Sequence, residues 1–177
     1  MNQRFQVTIR LLGLIWLLTL LMPADSGARP GDLFSLDTDA PWNIEADSLH
    51  YNKAAGQYIA SGRVIVAKKD TIIHAEQMLY NQSTGMMSAS GQVTMTTGSG
   101  DRITADKLEL NLNTETGTIY NGMVFQQKDN FHVKGGKIEK VGPDTYLADR
   151  VRVSTCEPDT PDWHISGRDL DITVDGY

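Results

Sequence analysis

A pattern that recurs about every 30 residues constrains the fold of this chain more than any other feature of its sequence. Each copy reads Ile-x-Ala-(Asp or Glu), then Leu or Met, then Asn, and clear copies begin at Ile44, Ile73 and Ile103. Weaker copies begin at Val133 and Ile165. The Ala or Gly position of the five copies falls at 46, 75, 105, 135 and 167, so the spacing is 29, 30, 30 and 32 residues. Such a chain stacks one small structural unit on the next around a shared interior.

Within each copy the apolar residues alternate with polar ones, which is the period of a β-strand. Ile44 and Ala46 alternate in this way, but Leu49 and Tyr51 continue in the opposite phase. This shift predicts a bend or a β-bulge at Asp47-Ser48. We therefore expect an all-β domain with about two short antiparallel strands per copy, roughly ten strands in all.

Two kinds of glycine segment punctuate these strands. Asn-x-x-x-Gly at 52–56 and at 81–85 predicts hairpin loops, in which glycine adopts positive φ. In the third copy the corresponding stretch runs from Asn111 to Gly117. A Gly-x-Val or similar triplet then follows in each clear copy and predicts a second turn or bulge.

The first 28 residues resemble a secretory signal peptide rather than part of the domain. A basic start is followed by a run of 12 almost wholly apolar residues at 11–22, then by Pro23 and the small residues Ser26-Gly27-Ala28. A membrane anchor is the alternative, but the run is shorter than the ~20 apolar residues that span a bilayer. Residues 29–40 are rich in Pro, Gly and Asp and are expected to be a flexible lead-in, so the domain is assigned to 41–177.

Charge and composition exclude several classes of function. The 177 residues carry a net charge of −6, which argues against a nucleic-acid partner. A single cysteine excludes an internal disulfide and a multi-cysteine zinc site. The four histidines occupy unrelated positions of the repeat, and the acidic position recurs in every clear copy, which indicates a shared turn role rather than acid–base catalysis. We expect no enzyme activity, no metal and no cofactor.

The repeat Ile-x-Ala-(Asp/Glu)-x-(Leu/Met)-x-Tyr-Asn, followed by Gly-x-Val, resembles the OstA-type domain over essentially 41–177. This domain occurs in the lipopolysaccharide-transport proteins LptA and LptC and at the N-terminus of the outer-membrane assembly protein LptD. The resemblance implies a twisted β-jellyroll, open along one side, whose apolar interior shelters the acyl chains of lipopolysaccharide. It also implies a location in the periplasm and edge-to-edge strand pairing with other OstA-like transport proteins.

A second block of sequence favours an LptD-like protein over a complete LptA-like one. Thr155-Cys156, Asp162-Trp163 and a Gly-x-x-Leu segment at 167–170 resemble the end of the LptD periplasmic domain, just before its β-barrel. The resemblance then implies an outer-membrane location and an outer-membrane lipoprotein partner. The fifth copy stops before its Gly-x-Val half, so we expect the chain to continue beyond Tyr177. A stand-alone LptA-like bridge protein remains the alternative.

Cys156 has two interpretations. An unpaired cysteine is often buried and inert, whereas in an exported protein it suggests a partner sulfur elsewhere. The resemblance implies a disulfide to a distal part of an LptD-like protein, outside these residues. LptD-like proteins often carry a further cysteine near the mature N-terminus, and this sequence has none there.

The candidate lipid-binding residues are the apolar positions that alternation places on one face. They are Ile44, Ala46, Val64, Ile73, Ala75, Met78, Val93, Met95, Ile103, Ala105, Leu108, Val124, Ile138 and Val151. The same residues could instead pack as a closed core, as in a structural β-solenoid with no lipid ligand. The resemblance favours a lipid-accessible groove.

The sequence also predicts where the edges of the sheet lie and what its basic residues do. Strands near Trp42–Ala46 and Ile165–Val174 are expected at the two edges, available for β-augmentation unless Pro41 or the aspartates of the last copy protect them. Two groups of basic residues are expected to be a solvated face rather than contacts for lipid phosphates. These groups are Lys68-Lys69, and Lys134, Lys137, Lys140, Arg150 and Arg152.

Overall fold

The computed structural model describes residues 41–143, 145–157 and 160–173, and these residues form one antiparallel β-sheet of 11 strands. The predicted signal peptide and lead-in lie outside the described residues. Within the described ranges no helix is long and apolar enough to cross a membrane. The strands are β1 (Asn43–Glu45), β2 (Ser48–Asn52), β3 (Gln57–Lys68), β4 (Thr71–Asn81), β5 (Met86–Thr96), β6 (Arg102–Asn111), β7 (Thr116–Gln126), β8 (Phe131–Lys140), β9 (Thr145–Ser154), β10 (Ile165–Gly167) and β11 (Leu170–Thr173).

The strands follow one another in chain order, so the sheet is a simple up-and-down meander. β1 and β2 both pair with β3, and β10 and β11 both pair with β9, so each pair forms one interrupted edge. The sheet is therefore open, with β1 and β2 at a first edge and β10 and β11 at a last edge. The expected all-β class is confirmed, as is the position of both edges as far as Thr173.

The seven central strands are longer than expected, at 10 to 12 residues each. Each bulge interrupts pairing without ending the strand. Gly62-Arg63 of β3 oppose Glu76 of β4, and Gly91-Gln92 of β5 oppose Asp106 of β6. The Gly-x-Val triplets are thus bulges rather than turns, and the break between β1 and β2 confirms the bend predicted at Asp47-Ser48.

The bulges line up across the sheet in a row that we call the crease. Four non-glycine residues on alternate strands have φ between 45° and 50° there, a left-handed conformation that ordinary strand residues avoid. They are Arg63, Gln92, Asn121 and Arg150. The crease begins at Asp47, whose N–H donates to the Gly62 carbonyl at 2.9 Å, and ends at Arg168-Asp169 between β10 and β11.

The crease lets both halves of every strand bury their apolar residues in the same interior. In β6, Ile103 and Ala105 are buried on one side of Asp106, while Leu108 and Leu110 are buried on the other side. Without an irregularity between them, odd and even residues would point to opposite faces. The phase shift seen in the sequence is therefore the signature of the crease.

The two halves of the sheet also fold toward each other. Tyr58 and Val66 lie near opposite ends of β3 and would be about 26 Å apart in a straight strand. Both nevertheless line one cavity of about 130 Å³. The sheet is consequently bent into a jellyroll-like fold whose core lies between its halves.

An asparagine stabilises each of three hairpin turns, which join β2 to β3, β4 to β5 and β6 to β7. Asn52 Oδ1 accepts from the Ala55 N–H at 3.2 Å, and Asn81 and Asn111 accept from backbone N–H groups of their own turns in the same way. Gly56 and Gly85 take positive φ in the first two hairpins, as expected. In the third hairpin Glu115 takes that position at φ 55°, and Gly117 lies within β7 instead.

Candidate functional site

The predicted lipid-binding residues all face the single interior. Twelve of the fourteen are buried, and Ile44 and Ala46 at the first edge are half-buried against them. In this structure they pack against one another, so the interior is closed along the middle of the sheet. The core also includes residues outside the predicted lipid-binding set: Ala60, Val66, Met87, Ala89, Leu110, Ile119 and Ala148. Alternation alone could have found Val66 and Leu110, since each lies two residues from a predicted position.

At the first edge the interior keeps an unfilled space. Its lining consists of aromatic and aliphatic side chains from both halves of the sheet together with two methionines, and the space measures about 130 Å³. The lining includes Trp42, which directly precedes β1, Ile44 of β1, Tyr58 of β3 and Tyr80 of β4. We call this space the first-edge cavity.

The interior face remains exposed at the first edge. Leu49 pairs with the fully buried Ala60, and Tyr51 pairs with Tyr58. Directly opposed residues share a face of the sheet, so Leu49 and Tyr51 point to the interior side. They are nevertheless 56% and 44% exposed, because no further strand among the described residues covers them.

The last edge has the same property. Ile165 of β10 lies opposite Val153, and Ile172 of β11 lies opposite Tyr146, which packs against the core. Ile165 is 67% exposed and Ile172 is 39% exposed. The apolar interior therefore reaches the surface at both ends of the stack.

The recurring acidic residues lie at the crease and serve its geometry. The Asp47 carboxylate accepts from the Arg63 guanidinium at 3.0 Å, and this hydrogen bond lowers the pKa of Asp47. Asp106 accepts from Asn121 Nδ2 at 3.1 Å. Glu76 lies against Gly91, where a Cβ atom would come within 2.5 Å of its carboxylate. The carboxylates thus occupy equivalent places at the first edge, on β4 and on β6, and do not converge on one point.

The histidines do not form a cluster either. His50, His74 and His164 are exposed, whereas His132 is buried and its ring lies 4.7 Å from that of Phe125. Neither nitrogen of His132 has a hydrogen-bond partner among the described residues. Across the same part of the chain no group of three or more His, Cys, Asp or Glu residues could hold a metal ion.

Cys156 follows β9 and is half-buried. Its N–H donates to Ser154 Oγ at 2.9 Å, and that hydroxyl donates to the Trp163 carbonyl at 2.8 Å. The segment that resembles the end of the LptD periplasmic domain is thereby tied to the last long strand. The sequence holds no second cysteine for Cys156 to pair with.

The expectation of a solvated basic face is wrong for two lysines. Lys68 is only 7% exposed and Lys140 only 2%. Each ends a strand on the interior face, two residues beyond the buried Val66 and Ile138 respectively. Lys69, Lys134, Arg150 and Arg152 are exposed as expected, and Lys137 is half-buried. Alternation could have predicted the burial of Lys68, since it continues the phase of Val64 and Val66.

Comparison with known proteins places these features in a family. Residues 43–172 match the family described as LptA/(LptD N-terminal domain) LPS transport protein. The LPS-assembly protein LptD of Acinetobacter baumannii is 26% identical over 140 residues, which cover 78% of this chain and 17% of that protein. LptD of Alkalilimnicola ehrlichii is 22% identical over 134 residues, covering 76% and 18%. The chain thus spans less than a fifth of the length of either relative.

A solved structure has the same fold. It is LptH of Pseudomonas aeruginosa, described as the LptA homologous periplasmic component of the lipopolysaccharide transport device. The TM-score is 0.57 at 14% sequence identity, with 81% of this chain and all of that chain covered. The family match spans most of the chain and coincides with the strands that carry the interior and the crease. The chain belongs to the LptA/(LptD N-terminal domain) family of LPS transport proteins and is an OstA-like domain of the LptD N-terminal type.

Proposed function

We propose that this chain is a non-enzymatic lipopolysaccharide-handling domain of an LptD-like protein, which shelters lipid acyl chains between the halves of its sheet. The observation that carries the proposal is the exposure of interior-face apolar side chains at both open edges. A closed structural domain would gain by covering them, whereas a domain that passes a lipid along must keep its interior continuous with its neighbours.

The energetics of an acyl chain favour such an interior. Exposing a lipid to water costs about 0.8 kcal/mol for each CH₂ group. The buried faces of β3 to β9 offer an apolar surface that could replace the water, once the halves of the sheet move apart. Met78, Met87 and Met95 lie in that surface, and methionine adapts readily to chains of different shape.

The edges supply the means of assembly. Edge strands carry backbone N–H and C=O groups that can pair with a further sheet. The partners we propose are other OstA-like transport proteins, joined by strand pairing at the first or the last edge, and an outer-membrane lipoprotein if the protein is LptD-like. We further propose export to the periplasm by the signal peptide at 1–28, and a disulfide from Cys156 to a sulfur outside these residues.

Site-specific photo-crosslinking tests the proposal. A photoreactive residue at Ile73, Met78 or Val93 lies in the interior and should label lipopolysaccharide in cells. The matched controls are Gln77 and Gln92, which lie on the same strands but are exposed, and they should not be labelled. Equal labelling at interior and exposed positions, or labelling at none, would overturn the proposal. The second result would instead favour a structural β-solenoid with a dry core.

A further inference from the structure

Lys68 differs from two other lysines of the sheet in having no acidic partner among the described residues. Lys107 and Lys137 form ion pairs with Glu109 and Glu139, each at 2.6 Å. Lys68 has no carboxylate within ion-pair distance among the described residues, although its side chain is almost wholly buried. Its ammonium group lies over the ring of Trp42, whose centre is 5.0 Å from Nζ.

An ammonium group held close to apolar surface loses part of its water, and a counter-charge or another strong partner compensates for that loss. The contact with the Trp42 ring supplies part of that compensation, because the face of an indole attracts cations. The remaining hydrogen-bonding capacity of the three N–H donors is unused by the described residues. An anion at this position would accept hydrogen bonds from these unused donors.

The position of Lys68 indicates what kind of anion fits. Val66 and Lys68 lie on the interior face, two residues apart, and both Val66 and Trp42 line the first-edge cavity. The ammonium group thus lies at the end of β3 over Trp42, one of the residues that line the cavity. This arrangement suits an amphiphile whose negative charge lies close to its alkyl chain.

Aromatic side chains extend from the exposed first edge to the cavity. Tyr51, Tyr58 and Tyr80 form a row across β2, β3 and β4, with ring centres 4.6 and 6.4 Å apart. Tyr51 is exposed at the edge, whereas Tyr58 and Tyr80 line the cavity. An alkyl chain can therefore follow aromatic surface from the edge to the cavity.

We propose that the first-edge cavity and Lys68 form a receiving site for one acyl chain whose anionic headgroup, a phosphate or a carboxylate, pairs with the Lys68 ammonium. The inference rests on the proposed lipid-handling function and specifies where the first chain binds. The chain end occupies the cavity between Trp42 and Tyr80, and the headgroup stays at the end of β3. Leu112 also lines the cavity.

Calorimetric titration of the purified protein with single-chain amphiphiles below their micelle concentration tests the site. The probes are decyl phosphate, decanoate and the uncharged decyl maltoside. Lys68→Gln should weaken binding of the favoured anionic probe about tenfold, the loss expected for one charge-assisted contact, and leave decyl maltoside unchanged. Lys68→Arg should restore binding. Comparison of the two anionic probes distinguishes a phosphate site from a carboxylate site.

Two further variants separate the charge from the cavity. Lys69→Gln removes the neighbouring exposed charge and should leave all three affinities unchanged. Leu112→Phe narrows the cavity and should weaken all three probes alike. Equal effects of Lys68→Gln and Lys69→Gln, or unaltered binding of both anionic probes to Lys68→Gln, would overturn the site. If lipopolysaccharide still crosslinks at Val93 in that case, only this inference fails; if the probes depend on Lys68 but no interior position crosslinks, only the proposed function fails.

Discussion

Gly91 and Gly56 both adopt positive φ, at 81° and 62°, but their surroundings differ. A Cβ atom on Gly91 would lie 2.6 Å from the Glu76 Cβ, whereas nothing lies within 4 Å of the same atom on Gly56. The first glycine is thus needed for both its conformation and its space at the crease. The second is needed only for its conformation.

Gly91→Ala should therefore destabilise the domain more than Gly56→Ala. A left-handed backbone alone costs a non-glycine residue about 1 kcal/mol or somewhat more. We expect about that loss for Gly56→Ala and a loss larger by about 1–3 kcal/mol for Gly91→Ala, from the overpacking against Glu76. Urea unfolding followed by circular dichroism measures both. Similar losses of stability in the two variants would show that the Glu76 side chain moves away from the added methyl group without an energetic cost.

At the scale of the element, the crease decides which residues a strand buries. Gln92 is the extra residue of the β5 bulge that places Ala89 and Val93 four residues apart, and both of these are buried on the same face. Deleting it would leave the second half of the strand facing the wrong way, with Val93 and Met95 turned to solvent. We expect the deletion to abolish cooperative thermal unfolding.

The control for this deletion is a change of length outside the strands. Inserting one glycine between Lys128 and Asp129 alters the exposed β7–β8 loop and leaves every strand phase intact. It should shift the melting temperature by only a few degrees, since loops tolerate added residues well. A deletion variant that melts as sharply as the insertion variant would contradict the role assigned to the crease.

The elements were predictable from the sequence where local chemistry alone determines them. Alternation and the glycine segments locate the strands, the hairpins and the phase shift at Asp47-Ser48. They do not reveal that a strand continues through its bulge, because continuity depends on pairing with both neighbours. Nor do they reveal that Glu115 takes the turn position expected of a glycine. The position of Gly117 predicts a longer loop in the third copy, but β7 already begins at Thr116.

The site was predictable to a similar extent. Every predicted interior residue faces the interior, because one repeat unit defines the face for all copies. The burial of Lys68 was missed, since a pair of adjacent lysines ordinarily indicates a solvated surface. Only the fold of the sheet brings Trp42 over its ammonium group.

At the scale of the whole molecule, the two edges are different surfaces, so pairing between them is head-to-tail. If the edges recruit OstA-like sheets, the chain should also associate with itself at high concentration. Leu49→Lys with Tyr51→Lys places charge on the interior face of the first edge, and Ile165→Lys with Ile172→Lys does so at the last. Sedimentation velocity should show each double variant as a monomer by itself.

Mixing the two double variants provides the decisive comparison. One retains an intact last edge and the other an intact first edge, so an equal mixture should form dimers that do not grow further. Dimers of either variant alone would indicate pairing between identical edges and would contradict a head-to-tail chain. Unaltered protein that stays monomeric at high concentration would show that the edges are protected from one another.

The crease has a mechanical consequence. Neighbouring strands are joined by hydrogen bonds on both sides of it, and the bulges lie in one line from the first edge to the last. The two halves can therefore move apart by a hinge motion about the line of bulges, while the backbone pairing within each half stays intact. Binding of a ligand between the two halves would expose apolar surface transiently but would break none of the backbone hydrogen bonds between strands. The free energy needed for lipid entry would then depend on the area of apolar surface that the opening exposes. The bound acyl chain would cover that surface again.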